Sequence, residues 1–120
     1  MTPSILAFAG SQRRESFNKK LAAIAAHGAR EAGAHATLID LADFPLPLFD
    51  QDLEAEAGLP EAGQRLKQLF LEHDGLVIAS PEYNSSITAL LKNAIDWISR
   101  PSPGEPSLAA FRGKAAVLVS

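Results

Sequence analysis

Short apolar runs alternate with stretches of helical spacing, and that alternation most limits what this chain can fold into. Ile5-Leu6-Ala7-Phe8-Ala9 is apolar throughout and stops at Gly10, as a strand buried on both faces does. Leu21, Ile24, Ala25, Gly28, Ala29 and Ala32 then recur at the spacing of one helix face. Ser16 is placed to cap that helix and Gly33 to stop it. Ala36 to Leu41 reads as a second, weaker strand. Residues 42–60 show no sustained period, carry Pro45, Pro47, Gly58 and Pro60, and hold five acids (Asp43, Asp50, Asp52, Glu54, Glu56) that face no base. They are expected to be a long loop, either functional or a solvated excursion. Leu66, Leu69, Phe70 and His73 mark a second helix, and Gly75 to Ser80 is the clearest strand. Ile87, Leu90, Leu91, Ala94, Ile95 and Ile98 mark a third helix ending near Pro101. A polar, Pro-rich loop runs to Arg112, and Ala115 to Val119 reads as a fourth strand.

The order β-α-β-loop-α-β-α-β predicts a parallel sheet covered on both faces, an α/β fold in three layers. Right-handed crossovers make an open, doubly wound sheet the simplest topology. The length of 120 residues supports one domain, spanning 1–120. A buried strand in such a sheet normally leads into a covering helix, so the chain, stopping at Ser120, is expected to lack its C-terminal part. Hydrophobic residues at 47% and charged residues at 21% exclude wholesale disorder. A net charge of −3 argues against non-specific nucleic-acid binding. Without Cys there is no disulfide scaffold, thiolate zinc site or thiol nucleophile. No apolar run approaches a membrane span, and Arg13 and Arg14 follow the first apolar stretch, the wrong order for a signal peptide. A soluble, intracellular protein with no nucleic-acid or membrane partner is expected.

In open parallel sheets, ligands bind beyond the carboxyl ends of the strands, near the switch point of the topology. Two segments are expected there. In Gly10 to Asn18, Ser11, Ser16 and Asn18 offer side-chain donors and Arg13 a guanidinium. Arg13, Arg14, Lys19 and Lys20 crowd a helix start, where the dipole disfavours cations and a bound anion would relieve the conflict. The alternative is that Ser16 only caps the helix and the bases are solvated. The segment has neither Gly-x-Gly-x-x-Gly nor Gly-Lys-Ser/Thr, so a single phosphate, as in a mononucleotide, suits it better than a dinucleotide. In Pro81-Glu82-Tyr83-Asn84-Ser85, backbone N–H groups could meet a flat heteroaromatic ring. The alternative there is an ordinary strand-to-helix turn.

Other candidates are weaker. His27, His35 and His73 are scattered, with no pair at metal-ligand spacing, so no metal site is expected. No Gly-x-Ser-x-Gly elbow is present, and no catalytic acid or base is assigned. Trp97, at the edge of its helix's apolar stripe, either packs locally or faces a partner subunit. Lys92 and Asp96 form an i, i+4 pair, a minor surface contact.

Taken together, Gly10-Ser11-x-Arg13-x-x-Ser16-x-Asn18, Pro81-Glu82-Tyr83-Asn84, Leu91-Lys92-Asn93-Ala94-Ile95-Asp96-Trp97 and the Pro-rich Pro45 to Asp50 resemble the NADPH-dependent FMN reductase family. These are flavodoxin-like proteins that include quinone and chromate reductase-like members. The resemblance covers essentially the whole chain. It implies that Ser11, Arg13, Ser16, Phe17 and Asn18 belong to an FMN phosphate loop. It implies that Pro81, Glu82, Tyr83 and Asn84 hold the isoalloxazine ring and ribityl chain, and that Ser120 begins a third flavin loop. A fifth strand and further helices follow that point in the family. The resemblance further implies a cytoplasmic homodimer or homotetramer, with contacts on the Lys92 to Trp97 helix. The implied activity passes a hydride from NAD(P)H to FMN and then electrons to a quinone, azo, free flavin or metal-oxyanion acceptor. The alternatives are a flavin-binding electron carrier without NAD(P)H oxidation, or an incomplete, inactive chain.

Overall fold

The computed structural model describes residues 2–11, 13, 16–81, 87–106 and 108–119. Four strands, β1 (Ser4–Ala9), β2 (His35–Leu38), β3 (Gly75–Ala79) and β4 (Ala115–Val119), form one sheet. All pairings are parallel and the order is β2-β1-β3-β4. Ile5 pairs with Ala36 on one side and Gly75 on the other. The predicted α/β topology is therefore the one found, with β1 and β3 central.

The two faces of the sheet are built from different sizes of side chain. Leu6 and Phe8 point to one face, where they pack with Leu66 and Phe70 of α3 (Glu61–Glu72) and Leu91 and Ile98 of α4 (Ala89–Ile98). The rings of Phe8 and Phe70 lie 5.7 Å apart, and Phe111 closes on Phe70 at 5.6 Å. On the other face Ala9 and Ala79 meet Ala22 of α1 (Phe17–Glu31). Small residues on both sides let α1 lie close to the sheet. This turns the helix relative to the sequence reading: Ala22 and Ala26 are buried, whereas Ile24 is 68% exposed and Gly28 is also exposed. Residue size at the contact, not hydrophobicity, chose the face. The two ends of α1 are as expected, with Ser16 as N-cap and Gly33 at φ 99° just beyond the last turn.

Residues 42–60 are not one long loop. A 3-10 turn covers Leu41–Asp43, capped by Asp40, whose Oδ1 accepts the Ala42 N–H at 2.9 Å. That turn also ends β2 earlier than the sequence suggested. A short helix, α2 (Gln51–Ala57), follows and buries no residue, which is why no apolar period announced it. Asp50 caps its start and Gly58, at φ 71°, ends it. One of the acids expected to face no base does find one: Glu54 pairs with Arg100 at 2.8 Å.

β4 is the least covered strand, as expected where no helix follows it: Ala115 to Leu118 are exposed, Val117 at 53% and Leu118 at 67%. One edge pairs with β3, and among the described residues no strand pairs with the other. Among the described residues, no helix is long and apolar enough to cross a membrane.

Candidate functional site

The strand order places the carboxyl end of β1 between β2 and β3, at the point where the winding of the sheet reverses. The segments leaving β1 and β3 meet there at Gly10. Its N–H donates to the Ala79 carbonyl at 2.8 Å, and its carbonyl accepts from the Thr88 hydroxyl at 2.7 Å. A Cβ on Gly10 would sit 2.7 Å from Ser80 Oγ and 3.3 Å from Leu91 Cβ, so the close approach requires glycine.

Just beyond, Ser11, Arg13, Ser16, Phe17 and Asn18 from one segment and Pro81 from the other line a cleft of about 170 Å³. Ser16 Oγ accepts the Lys19 N–H at 3.3 Å, and Ser11 Oγ accepts the Arg13 N–H at 3.3 Å. Phe17 stands 70% exposed at the rim. Asn18 Oδ1 is buried and has no hydrogen-bond partner among the described residues. An unmet buried acceptor is costly and points to a missing partner. The first turn of α1 holds no acid, while Lys19 and Lys20 lie in it against the dipole. Lys19 is tied to Asp40 at 2.9 Å. Burial pushes the Asp40 carboxyl up, but the Ala42 N–H and Lys19 outweigh it and hold the group below its ordinary value.

Hydroxyls, an amide and a guanidinium around a helix start suit a phosphate monoester. The unmet Asn18 acceptor suits a hydroxyl next to it. At about 170 Å³ the cleft takes a phosphate and its neighbouring atoms rather than a whole drug-sized ligand, which needs roughly 300 Å³ or more. A larger cleft of about 500 Å³ lies on the β2 side of α1, lined in part by Leu38, Ile39, Asp40, Phe44 and Arg65. Both of its cations are already engaged: Lys19 pairs with Asp40, and Arg65 stacks on Phe44 at 5.0 Å and reaches the Asp43 carbonyl at 3.4 Å. Chemistry, not volume, selects the smaller cleft.

Six residues singled out from sequence (Ser11, Arg13, Ser16, Phe17, Asn18, Pro81) are thus brought together. Glu82, Tyr83, Asn84 and Ser120 lie outside the described residues. Trp97 packs locally: it is 0% exposed, its Nε1 donates to the Pro47 carbonyl at 2.7 Å, and Phe49 meets it edge-on at 4.9 Å. Lys92 and Asp96 form the expected surface pair, at 2.5 Å. Sequence reading missed Thr88. A hydroxyl residue just before an apolar-periodic helix signals an N-cap, which Thr88 is, but nothing in the sequence announces its second bond to Gly10.

The family model described as NADPH-dependent FMN reductase matches residues 3–120. The chain is similar to a 2-hydroxy-1,4-benzoquinone reductase of Burkholderia sp., at 41% identity over 84% of this chain and 52% of that protein. It is similar to an NADPH:quinone oxidoreductase of Arabidopsis thaliana, at 41% identity over 81% of this chain and 50% of the other. Among solved structures it superposes on FerB, a flavoenzyme NAD(P)H:(acceptor) oxidoreductase from Paracoccus denitrificans, with TM-score 0.75 and 32% identity, over 98% of this chain and 59% of FerB. The chain spans about half the length of the curated relatives it matches. With a family match over nearly its whole length and the same parallel α/β fold, the chain belongs to the NADPH-dependent FMN reductase family.

Proposed function

We propose that this chain carries the FMN phosphate site of an NAD(P)H-dependent oxidoreductase. The observation that carries the reading is the cleft at the β1/β3 switch point, where anion donors surround a helix start and Asn18 Oδ1 lacks a partner. FMN fits both features, because its phosphate ends a ribityl chain of hydroxyls. Ser11, Ser16 and Arg13 would hold the phosphate, and Asn18 would accept from a ribityl hydroxyl. Phe17 at the rim would limit solvent access, and Pro81 would begin the loop toward the ring, with Glu82, Tyr83 and Asn84 continuing it and Ser120 opening a further flavin contact. When bound, FMN would supply the redox chemistry, taking two electrons from NAD(P)H and returning them to a second substrate. The chain's own residues orient it and neutralise its phosphate. Quinones are the favoured acceptor class, because the curated relatives are named for quinone reduction. A homodimer or homotetramer acting in the cytoplasm belongs to the same proposal.

Titration with FMN and with riboflavin, followed by flavin fluorescence, tests the reading. The chain is expected to prefer FMN. Arg13→Ala is expected to weaken FMN about ten- to a hundredfold, the range for a charge-assisted hydrogen bond, and to leave riboflavin nearly unchanged. Equal affinity for the two flavins would overturn the phosphate assignment. NADPH consumption with a quinone then separates the reductase from an electron carrier, which would bind FMN without consuming NADPH.

A further inference from the structure

We infer that Thr88 is a positioning residue for the phosphate cleft, coupling the loop after β1 to the start of α4; this rests on the FMN reading above. Thr88 is 4% exposed and touches none of the cleft itself. Its single hydroxyl does two things: Oγ1 accepts the Leu91 N–H at 3.1 Å, capping α4, and donates to the Gly10 carbonyl at 2.7 Å. The Gly10 carbonyl and the Ser11 N–H belong to one planar trans peptide. Fixing the direction of that carbonyl therefore fixes the direction of the Ser11 N–H. Ser11 is the first residue lining the cleft.

The preceding peptide is fixed as well. The Gly10 N–H is held by the Ala79 carbonyl at 2.8 Å, and a Cβ at Gly10 would meet Ser80 Oγ at 2.7 Å and Leu91 Cβ at 3.3 Å, so the loop packs closely on β3 and α4. Gly10 is thus held to β3 through its N–H and to α4 through its carbonyl. Of these two ties, the one made by Thr88 is a side-chain bond, and it can be removed without touching the sheet ladder.

The test compares three variants with the parent chain, each titrated with FMN and riboflavin and each melted without ligand. Thr88→Val keeps the shape and loses both bonds. Thr88→Asp, at about pH 8 where a carboxylate is ionised, can still accept from the Leu91 N–H but has no proton for Gly10. Thr88→Ser keeps both bonds. We expect the Val and Asp variants to bind FMN about tenfold more weakly, with riboflavin changed less than about twofold, and Ser to match the parent. If Val fails to fold, Thr88→Ala takes its place; the Asp charge by itself repels a phosphate, so weaker FMN binding in Asp supports the inference only alongside the same loss in the neutral variant. An Asp variant that folds and keeps the parent's FMN preference would show that capping alone matters and overturn the inference. Equal weakening of both flavins would overturn it too, as a general loss of structure. A parent that shows no FMN preference would bring down the phosphate reading itself, and the inference with it.

Discussion

Two ends of this molecule treat their polar groups in opposite ways. On the flank made by α2, α3, α4 and the loop after it, nearly every strong donor has found an acceptor inside the chain. Lys67, 5% exposed in α3, spends its three N–H groups on the Arg100 carbonyl, Ser102 Oγ and Glu105. Asn93 grips the Pro-rich segment from both sides, donating to the Pro47 carbonyl at 2.9 Å and accepting the Phe49 N–H at 2.8 Å. At the β1/β3 switch point a buried acceptor on Asn18 is unmet among the described residues, beside a helix start whose first turn holds Lys19 and Lys20 and no acid. Self-satisfied polar groups make a scaffold, while incompletely satisfied ones at a strand end make a place for a ligand. The helix motif that the family resemblance linked to subunit contacts serves, at Asn93 and Trp97, to hold the chain's own loop.

The largest effect is expected on the scaffold side. Trp97→Ala removes a fully buried indole and its bond to Pro47, and should cost about 3–5 kcal/mol in urea unfolding. A loss below about 1 kcal/mol would mean that the flank is less closely packed than its contacts indicate. Gly10→Ala comes next and strikes the seam between the two regions. Its Cβ would lie 2.7 Å from Ser80 Oγ and 3.1 Å from Ser80 Cβ, so about 1–3 kcal/mol of overpacking is expected. Adding Ser80→Ala should recover part of that loss, because the nearest clashing atom is gone. A double-mutant cycle without coupling would show that the strain lies elsewhere.

These expectations also mark what the sequence made legible. The strands at β1 and β3 were plain because each is an unbroken apolar run covered on both faces. The cleft was legible because five of its six described lining residues lie in one short segment at a strand-to-helix turn, and the sixth, Pro81, follows the clearest strand. α2 was hidden because a helix that buries nothing has no apolar period, although Asp50 and Gly58 punctuate its ends. The buried face of α1 was misread because Ala22 and Ala26 pack where larger residues would not fit, sending Ile24 outward. Thr88 was hidden because its bond to Gly10 spans 78 positions, and only the sheet order brings the two together.

A smaller effect probes the scaffold's central ion pair through pH. Chiefly through its hydrogen bond to Lys67, and also through the Ser102 N–H, the Glu105 carboxyl is held below its ordinary value of 4.5. A carboxyl lowered by folding stabilises the native state fully above its unfolded value, and the contribution is lost as pH falls through the folded value. The melting temperature of the parent should therefore exceed that of Glu105→Gln near neutral pH, and the gap should close as acid is added below about 4.5. Parallel curves down to about pH 3 would mean that Lys67 is held by the Arg100 carbonyl and Ser102 alone.

The smallest effect is expected where the scaffold meets water. Lys92 and Asp96 sit one turn apart on α4 at 2.5 Å, with the Lys side chain 60% exposed. The cation precedes the anion, the less favourable order along a helix, and solvent screens the pair. Lys92→Ala should shift stability by no more than about 0.5 kcal/mol and leave the FMN-to-riboflavin preference where it was. The comparison makes this null result informative. Lys92 lies in the same family-like motif as Asn93 and Trp97, but only those two reach the Pro-rich loop. A large loss on removing Lys92 would mean that its ammonium group does something beyond the pair with Asp96, and concentration-dependent melting of the variant would show whether a second copy of the chain is what it meets.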